Sequence, residues 1–248
     1  MAERGLTGNQ LKLIAIATMT LDHLASVIWP GYATHWWLLC IHALGRVAAP
    51  VFWFLVAEGY RYTRSRRRYA ARLLLFAAAG HFAYNFAFGI PFVPFRTSVF
   101  NQTSVLWALF WGVIALMIND SPRLAQWQKT LLMIGTTLAA FCADWSSIAV
   151  LAILQIHQNR GDFRRQMAGM MASVAIYAAV YAALIHPVYG LLQLFVALAI
   201  PLLARYNGQR GSWPGMKWFF YLYYPLHLLL CGLVRLGLHG DIGVMIGG

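Results

Sequence analysis

Acidic residues are scarce in this chain. Among its 248 residues, Asp and Glu together number 7 against 19 Lys and Arg, and charged residues make up only 10%. An ordinary soluble domain carries roughly 25% charged residues. Since 60% of the residues are hydrophobic, the chain has too few charges to cover a water-exposed surface. The composition therefore excludes a water-soluble globular protein and indicates that lipid surrounds most of the chain.

Cysteine pairs and common ligand-binding motifs are also missing from the sequence. The cysteines Cys40, Cys142 and Cys231 have no paired spacing of the kind found in zinc or redox sites. The sequence has no acidic calcium loop, no glycine-rich phosphate loop and no serine nucleophile elbow. We therefore predict no metal site. The sequence also lacks an internal repeat such as many secondary transporters carry.

Long apolar runs dominate what is present. A membrane-spanning helix needs about 20 mainly apolar residues. Nine runs are separated by charged or turn-forming residues, at 11–29, 41–60, 72–90, 103–118, 129–143, 146–157, 167–185, 188–204 and 218–238. The fifth and sixth are short and flank Asp144, so they form either two helices or one hairpin that enters the membrane and returns. We expect an all-α, polytopic bundle of about nine transmembrane helices, forming a single domain over residues 1–248.

The positions of the basic residues predict the orientation. Lys and Arg in short loops are retained on the cytoplasmic side of a membrane. With the amino terminus in the cytoplasm and nine alternating spans, all Lys and Arg except Arg46, Arg96 and Arg235 fall at cytoplasmic edges. This scheme explains the formal net charge of +12 without a nucleic-acid partner. It predicts a multi-pass membrane protein with membrane lipid as its surroundings.

An ionisable side chain inside an apolar run is a candidate for function because its burial in lipid is costly, and five such side chains stand out. They are Asp22, His23, Arg46, His81 and His227. With a rise of 1.5 Å per residue, Asp22 and Arg46 both lie roughly 8–9 Å below the outer surface, so they are expected to pair. His81 and His227 are expected nearer the middle of the membrane.

The Asp22–Arg46 pair has two interpretations. It is either a structural clamp between the first two helices or a device that positions His23, the candidate general base or acyl carrier. Since neighbouring helical residues point about 100° apart, an acid that orients His23 is expected from another helix. The alternative for His23 is a histidine that is simply hydrogen-bonded within the bundle. His42 and His186 fall at the predicted outer boundary and are interpreted as interface residues.

A basic segment follows the second apolar run. Arg64, Arg66, Arg67 and Arg68 could bind the phosphates of a nucleotide-like molecule that arrives from the cytoplasm. The alternative is a topology signal that also contacts anionic lipid. Glu58, one turn before this segment, is expected to pair with Arg61 or Tyr62 and to be structural.

Three blocks of sequence carry a resemblance to a known family. The first block runs from Leu11 to Leu21-Asp22-His23, and the second from Gly45-Arg46 through Pro50 to Glu58-Gly59-Tyr60. The third is Phe220 to Leu228, with Tyr224-Pro225-Leu226-His227 at its centre. In these blocks the chain resembles the TraX family, which is named for the conjugative F-pilin acetylase. The chain is similar more distantly to multi-pass membrane acyltransferases that use acetyl-CoA. It departs from the family pattern at Ala48-Ala49-Pro50, where a bulkier residue usually precedes the proline, and after Asp144, where a glycine often follows.

The resemblance implies an integral inner-membrane enzyme that moves acetyl from cytoplasmic acetyl-CoA to an acceptor at the outer side, which for the pilin acetylase is the amino terminus of pilin. Its catalytic residues would be His23, Asp22, Arg46 and His227. Further candidates are Glu58, His81, Asp144 and Tyr224. We therefore predict an acetyl-CoA-dependent N- or O-acyltransferase that acts on a pilin or another envelope acceptor. The alternatives are a proton-coupled transporter that uses the same buried residues as an ion path, and a non-catalytic membrane partner in pilus or envelope assembly.

Overall fold

The fold is built from helices. The computed structural model describes residues 5–96, 98–213 and 215–243, and in this part of the chain no strand is found beyond two isolated backbone bridges. The helices are α1 (Gly8–Ile28), α2 (Trp36–Gly45), α3 (Ala48–Tyr62), α4 (Arg66–Phe88), α5 (Val105–Asn119), α6 (Gln126–Ala140), α7 (Ser146–Gln158), α8 (Phe163–Leu184), α9 (Pro187–Leu192), α10 (Ile200–Ala204) and α11 (Met216–His239). A 3₁₀ segment, Gln193–Ala199, connects α9 to α10. The all-α class predicted from the sequence is confirmed.

Each apolar run coincides with helical structure, and five helical segments among the described residues are long and apolar enough to cross a membrane. These segments are Gly8–Ile28, Trp36–Tyr62, Phe163–Leu184, Pro187–Ala204 and Trp218–His239. The segments α5 and α7 are apolar but shorter. The number of nine spans and the cytoplasmic amino terminus stay predictions. Arg4, which the charge pattern assigns to the cytoplasmic side, lies outside the described residues.

The start of α1 is fixed by local hydrogen bonds. Thr7 and Gln10 form a capping box, in which the Thr7 side chain accepts from the Gln10 N–H and the Gln10 side chain accepts from the Thr7 N–H. The backbone N–H groups of Gly8 and Asn9 donate to the carbonyls of Gln209 and Arg210. The N–H groups in the first turn of a helix have no partners within the helix, so these bonds set where α1 begins.

The second apolar run is interrupted at Arg46 and Val47, which form a turn between α2 and α3. Pro50 lies in the first turn of α3, where its missing N–H is no loss and its fixed φ favours the helix. The interruption places Arg46 at the very end of α2, where its backbone N–H still donates to the His42 carbonyl.

The short helices α6 and α7 meet in a turn that contains Asp144. Trp145 adopts a left-handed backbone conformation with φ of 63°, and α7 begins at the next residue. The Asp144 N–H donates to the Thr103 carbonyl at 2.8 Å. With 15 and 13 residues, α6 and α7 extend about 20–23 Å each, which is shorter than the roughly 30 Å hydrocarbon core of a bilayer.

The chain divides into two compact units. The first unit comprises Met1–Phe52, Phe86–Gly89 and Val174–Gly248, and the second comprises Trp53–Asn85 and Ile90–Ser173. In the first unit, α1 packs against α2 and α11, and its interior includes Leu11, Leu38 and Tyr189. In the second unit, α5, α6 and α7 pack together, and Trp53 contacts Trp145 edge to face. The single domain expected over residues 1–248 stays a prediction.

Candidate functional site

An ion pair between Asp22 on α1 and Arg46 at the end of α2 lies inside the first unit. Arg46 Nη2 donates to Asp22 Oδ2 at 2.7 Å, and the two side chains are 6% and 8% exposed. The structure thus brings together the two residues whose depths indicated a pair. Charges this deeply buried persist only when they are paired and hydrogen-bonded, because removing them from water is costly.

Two further groups hold the Arg46 guanidinium. Its Nε donates to the His42 carbonyl at 3.2 Å, and its Nη1 donates to Gln193 Oε1 at 3.2 Å. Gln193 is the first residue of the 3₁₀ segment, and its own Nε2 donates to the Tyr189 carbonyl at 3.0 Å. The guanidinium is therefore fixed from three directions, by α1, α2 and the segment that follows α9.

His42 is the second partner of the Asp22 carboxylate. Its Nδ1 lies 2.6 Å from Asp22 Oδ1, and the imidazole side chain is 0% exposed. Its Nε2 is buried without a hydrogen-bond partner. The interpretation of His42 as an interface residue is therefore replaced by one in which it lies in the interior. The signal that could have identified it is its spacing: His42 precedes Arg46 by four residues, so both lie on one face of α2.

Gly45 allows α2 to approach Asp22 closely. A Cβ atom at Gly45 would overlap the Asp22 side chain, because it would lie closer than van der Waals contact to the Asp22 Cβ, Cγ and Oδ1 atoms. The helical backbone of Gly45 has ordinary dihedral angles, so glycine is required here by space and not by conformation. The approach brings the carboxylate within reach of both His42 and Arg46.

His23 on α1 and His227 on α11 form a second buried contact in the first unit. His23 Nδ1 lies 3.0 Å from His227 Nε2, and the two rings lie nearly in one plane, with their centroids 5.3 Å apart and their planes at 9°. Asp22 bonds His42 and Arg46 and does not orient His23, as helix geometry predicts. The group that orients His23 comes from another helix, although it is a histidine and not an acid.

Hydrogen bonding assigns the tautomers of this histidine pair. His227 Nδ1 lies 3.1 Å from the Tyr223 carbonyl, which can only accept, so this nitrogen carries the hydrogen. In neutral His227 the other nitrogen, Nε2, is then an acceptor, and His23 Nδ1 donates to it. Neutral His23 consequently keeps the lone pair of its Nε2 atom. This arrangement is the one that a general base requires: His23 Nε2 is the acceptor atom, and His227 fixes the orientation of the His23 imidazole.

Aromatic rings pack around the histidine pair. The Phe88 ring meets His23 edge to face at 5.6 Å, and the Tyr223 ring stacks on His227 at 5.3 Å. Tyr224, another predicted site residue, is buried and meets His227 edge to face at 5.4 Å. The Tyr223 hydroxyl lies 2.8 Å from Thr20 Oγ1, which joins α11 to α1 one turn away. These contacts restrict the orientation of both imidazoles.

Three other predicted site residues belong to the second unit. His81 on α4 is half-buried, and its Nε2 lies 2.7 Å from the Phe92 carbonyl. Asp144 occupies the turn between α6 and α7. Glu58 on α3 forms an ion pair with Arg160, with Oε1 and Nη2 3.5 Å apart, and also interacts electrostatically with the expected partner Arg61.

The arginines of the basic segment in the second unit are exposed, and Arg66 among them contacts an aromatic ring and an acidic side chain. The Arg66 guanidinium lies over the Tyr60 ring at 4.5 Å, and its Nη2 is 3.7 Å from Asp120 Oδ2. Arg64, Arg67 and Arg68 are exposed, and Ser65 Oγ accepts from the Arg68 backbone N–H at 3.3 Å at the start of α4. The guanidinium groups of Arg64, Arg67 and Arg68 are available to phosphate, whereas Arg66 is partly neutralised.

Asp120 is the acidic centre of this region. Its Oδ1 lies 3.0 Å from His157 Nε2 and accepts from Asn119 at 3.0 Å. Burial raises the pKa of Asp120, but the hydrogen bonds from His157 and Asn119 and the attraction of His157 lower it by more, so the net pKa is below the ordinary value.

Among the residues that the structure describes, His, Cys, Asp and Glu form no group of three that could hold a metal ion.

Comparison with known proteins identifies the family. The family model described as "TraX protein" matches residues 7–235, which include every residue of the site described above. A probable fimbrial assembly protein, FimC of serogroup H1 from Dichelobacter nodosus, is 29% identical over 230 residues, which cover 90% of this chain and 93% of the relative. No solved structure matches the chain. Since the family model extends from before the first helix into the last, this chain belongs to the TraX family.

Proposed function

We propose that this chain is a membrane-embedded acetyltransferase of the bacterial inner membrane, which moves acetyl from cytoplasmic acetyl-CoA to an acceptor at the outer side. The observation that carries the proposal is the His23–His227 pair, in which the Tyr223 carbonyl and His227 orient His23 with its Nε2 lone pair available. Membership of the TraX family supports it, since the resemblance to that family implies acetyl transfer from acetyl-CoA.

In the proposed reaction, His23 Nε2 takes the proton from the amine or hydroxyl of the acceptor as that atom attacks the thioester carbonyl. The new bond from the acetyl carbon to nitrogen or oxygen forms first and gives a tetrahedral intermediate, and the carbon–sulfur bond breaks when that intermediate collapses. The proton then passes from His23 to the departing thiolate, which leaves as CoA. His227 accepts the Nδ1–H of His23 throughout and spreads the positive charge that His23 acquires.

The role assigned to Arg46 is to stabilise the negatively charged oxygen of the tetrahedral intermediate. A cation held before the reaction begins stabilises developing negative charge without reorganising, which is the main source of such catalysis. The bonds from Arg46 to Asp22, Gln193 and the His42 carbonyl supply that fixation. Asp22 bonds Arg46 and not His23, so its role in the proposed site is to hold the guanidinium group in place.

Acetyl-CoA is proposed to bind through its phosphates to Arg64, Arg67 and Arg68. Guanidinium groups are well suited to phosphate because their planar donors match its oxygens. The exposure of these three side chains supports the assignment, and the contacts of Arg66 with Tyr60 and Asp120 make Arg66 the weakest of the four predicted ligands.

The acceptor is proposed to be a pilin or fimbrial subunit, through its amino terminus. The resemblance to the TraX family implies a pilin amino terminus as acceptor, and the relative from Dichelobacter nodosus is named as a probable fimbrial assembly protein. A primary amine loses its proton as it attacks, so it requires a base such as the His23 Nε2 atom.

The test is release of CoA from labelled acetyl-CoA by the full chain in detergent, with and without an apolar peptide that has a free amino terminus. His23→Ala is expected to lower the release by about 10²–10⁴-fold, which is the usual contribution of a general base. The matched control is His35→Ala, because His35 is an exposed histidine at the start of α2 whose side chain makes no capping bond. Full release by a folded His23→Ala protein would overturn the mechanism.

The second candidate function is that of a non-catalytic partner in fimbrial assembly, which the printed name of the relative favours. In that case the protein would bind the pilin subunit equally well with or without His23. Co-purification of subunit with the wild-type and His23→Ala proteins distinguishes the two: equal retention, together with no binding of acetyl-CoA by the wild type, supports the assembly function and contradicts the enzyme.

A further inference from the structure

Among the described residues of the first unit, His42 is the histidine whose side chain is fully buried and shares a carboxylate with an arginine. Asp22 divides its two oxygens between the partners, with Oδ1 at 2.6 Å from His42 Nδ1 and Oδ2 at 2.7 Å from Arg46 Nη2. The His42 carbonyl in turn accepts from Arg46 Nε. His42 therefore touches both members of the ion pair, one through its side chain and the other through its backbone.

The bond to Asp22 is the polar contact that accounts for the burial of this imidazole. The other ring nitrogen, Nε2, is buried with no partner, and the ring packs against Tyr189 with centroids 5.8 Å apart. An unpaired buried polar atom lowers stability, so an apolar side chain would fit this position at less cost if packing were its only role. The imidazole is explained by the N–H that it gives to Asp22.

Without that N–H, Asp22 could rotate. A carboxylate held at one oxygen by Arg46 is free to turn about its side-chain torsions, and Arg46 would follow it. When the His42 N–H occupies Oδ1 and Gly45 admits the carboxylate against α2, the position of Arg46 Nη2 is set at the same time. Asp22 and Arg46 are charged groups that contact His42, and the Tyr189 ring packs against its imidazole.

We propose that His42 is a positioning residue: through its Nδ1–H it fixes the Asp22 carboxylate and thereby sets the position of the Arg46 guanidinium. The proposal rests on the acetyl transfer proposed above, in which Arg46 stabilises the oxyanion. His42 does not touch the reacting atoms, and its effect is expected on the turnover step and not on the binding of acetyl-CoA.

Two substitutions of similar size and polarity separate this role from simple packing. In His42→Asn the amide nitrogen takes the place of Nδ1 and can still donate to Asp22, whereas in His42→Gln it lies one carbon further out. We expect His42→Asn to retain most of kcat and His42→Gln to lose about 10–100-fold, as is typical when a supporting hydrogen bond to an active group is removed. The KM for acetyl-CoA is expected to stay unchanged in both variants.

The same bond has a signature that does not depend on activity. In protein with ¹⁵N-labelled histidine, the short N–H to carboxylate bond is expected to give a strongly deshielded proton resonance, which disappears in both His42→Asn and Asp22→Asn. If the wild type releases no CoA, the proposed function fails, while this resonance still decides whether His42 holds Asp22. If the wild type is active, and folded His42→Gln turns over as fast as wild type or falls no further than His42→Asn, the positioning role is overturned.

Discussion

The first and second units each contain a cluster of charged and histidine side chains, and the two clusters differ in burial. In the first unit, Asp22, His42 and Arg46 are at most 8% exposed and their bonds measure 2.6–2.7 Å. In the second unit, the side chains of Asp120, Arg66 and Arg160 are 23%, 50% and 31% exposed, and the contacts lengthen to 3.0–3.7 Å.

The difference in burial changes what a charge pair does for the protein. In the second cluster, solvent screens the charges, and exposed pairs contribute about 0–1 kcal/mol to stability. In the first, the charges have lost their hydration, so the pair is retained only because each member compensates the other. A buried cluster of this kind is weak evidence for stability and stronger evidence for function, since ionisable groups inside a membrane protein are costly to keep.

The largest expected effect comes from breaking the buried pair. Asp22→Asn leaves Arg46 as an uncompensated buried charge, which is expected to lower the free energy of unfolding by about 3–5 kcal/mol. The double variant Asp22→Asn with Arg46→Met should recover most of that loss, because it removes the unpaired charge. Thermal unfolding in detergent measures both. If Asp22→Asn melts at the wild-type temperature, solvent screens the charges of Asp22 and Arg46 as it screens those of the cluster in the second unit.

The next effect concerns the space beside Asp22. Gly45→Ala places a methyl group against the Asp22 side chain and is expected to cost about 1–3 kcal/mol, as for other overpacked sites, and to reduce CoA release. The matched control is Gly135→Ala on α6, where a Cβ atom meets no other atom within 4 Å. There the change is expected to be neutral or stabilising by about 0.5–1 kcal/mol, since alanine favours a helix. Equal melting temperatures for the two variants would contradict the close approach.

A smaller effect is expected at the exposed arginines of the second unit. Arg67→Gln with Arg68→Gln should raise the KM for acetyl-CoA about tenfold, which corresponds to about 1.4 kcal/mol, and leave kcat unchanged. Arg123→Gln, in the exposed turn between α5 and α6, removes a positive charge of the same predicted side and serves as the control. If all these variants behave alike, the basic segment acts on topology or anionic lipid and does not bind the donor.

The smallest effect is expected at Asp120. Because its pKa in the folded protein is lowered, the stabilisation is present above the pKa of an unfolded Asp, about 3.9, and is lost as the pH falls through the folded-state pKa. Asp120→Asn is therefore expected to lower stability by less than about 1 kcal/mol at neutral pH and by nothing in strong acid. Melting curves against pH measure this convergence, and a constant difference down to acid pH would contradict the assignment.

The sequence predicts the helices and the pairing of Asp22 with Arg46 because both depend on distance along one chain. Apolar runs identified the helices, and the rise per residue placed Asp22 level with Arg46. Distances along the chain do not specify how each helix is rotated about its axis. His42 was consequently assigned to the membrane boundary, although its side chain turns inward to Asp22.

Partners that come from distant segments were missed for a related reason. Gln193 carries no charge, so nothing in the apolar run 188–204 marked it as a ligand of Arg46. The partner of Glu58 was sought among its neighbours in sequence, but Arg160 reaches it from the end of α7. Such contacts depend on which helices pack together, and a single sequence does not specify that packing.

The 3₁₀ segment from Gln193 to Ala199 has a consequence for the fit of the chain to its bilayer. A 3₁₀ helix rises about 2.0 Å per residue against 1.5 Å for an α-helix, so the 18-residue segment Pro187–Ala204 reaches about 30 Å instead of about 27 Å. This extension matches a hydrocarbon core of about 30 Å. Winding the whole segment into an α-helix would shorten it by about 3 Å, so the 3₁₀ stretch lets 18 residues reach a length that the α-helical form would not.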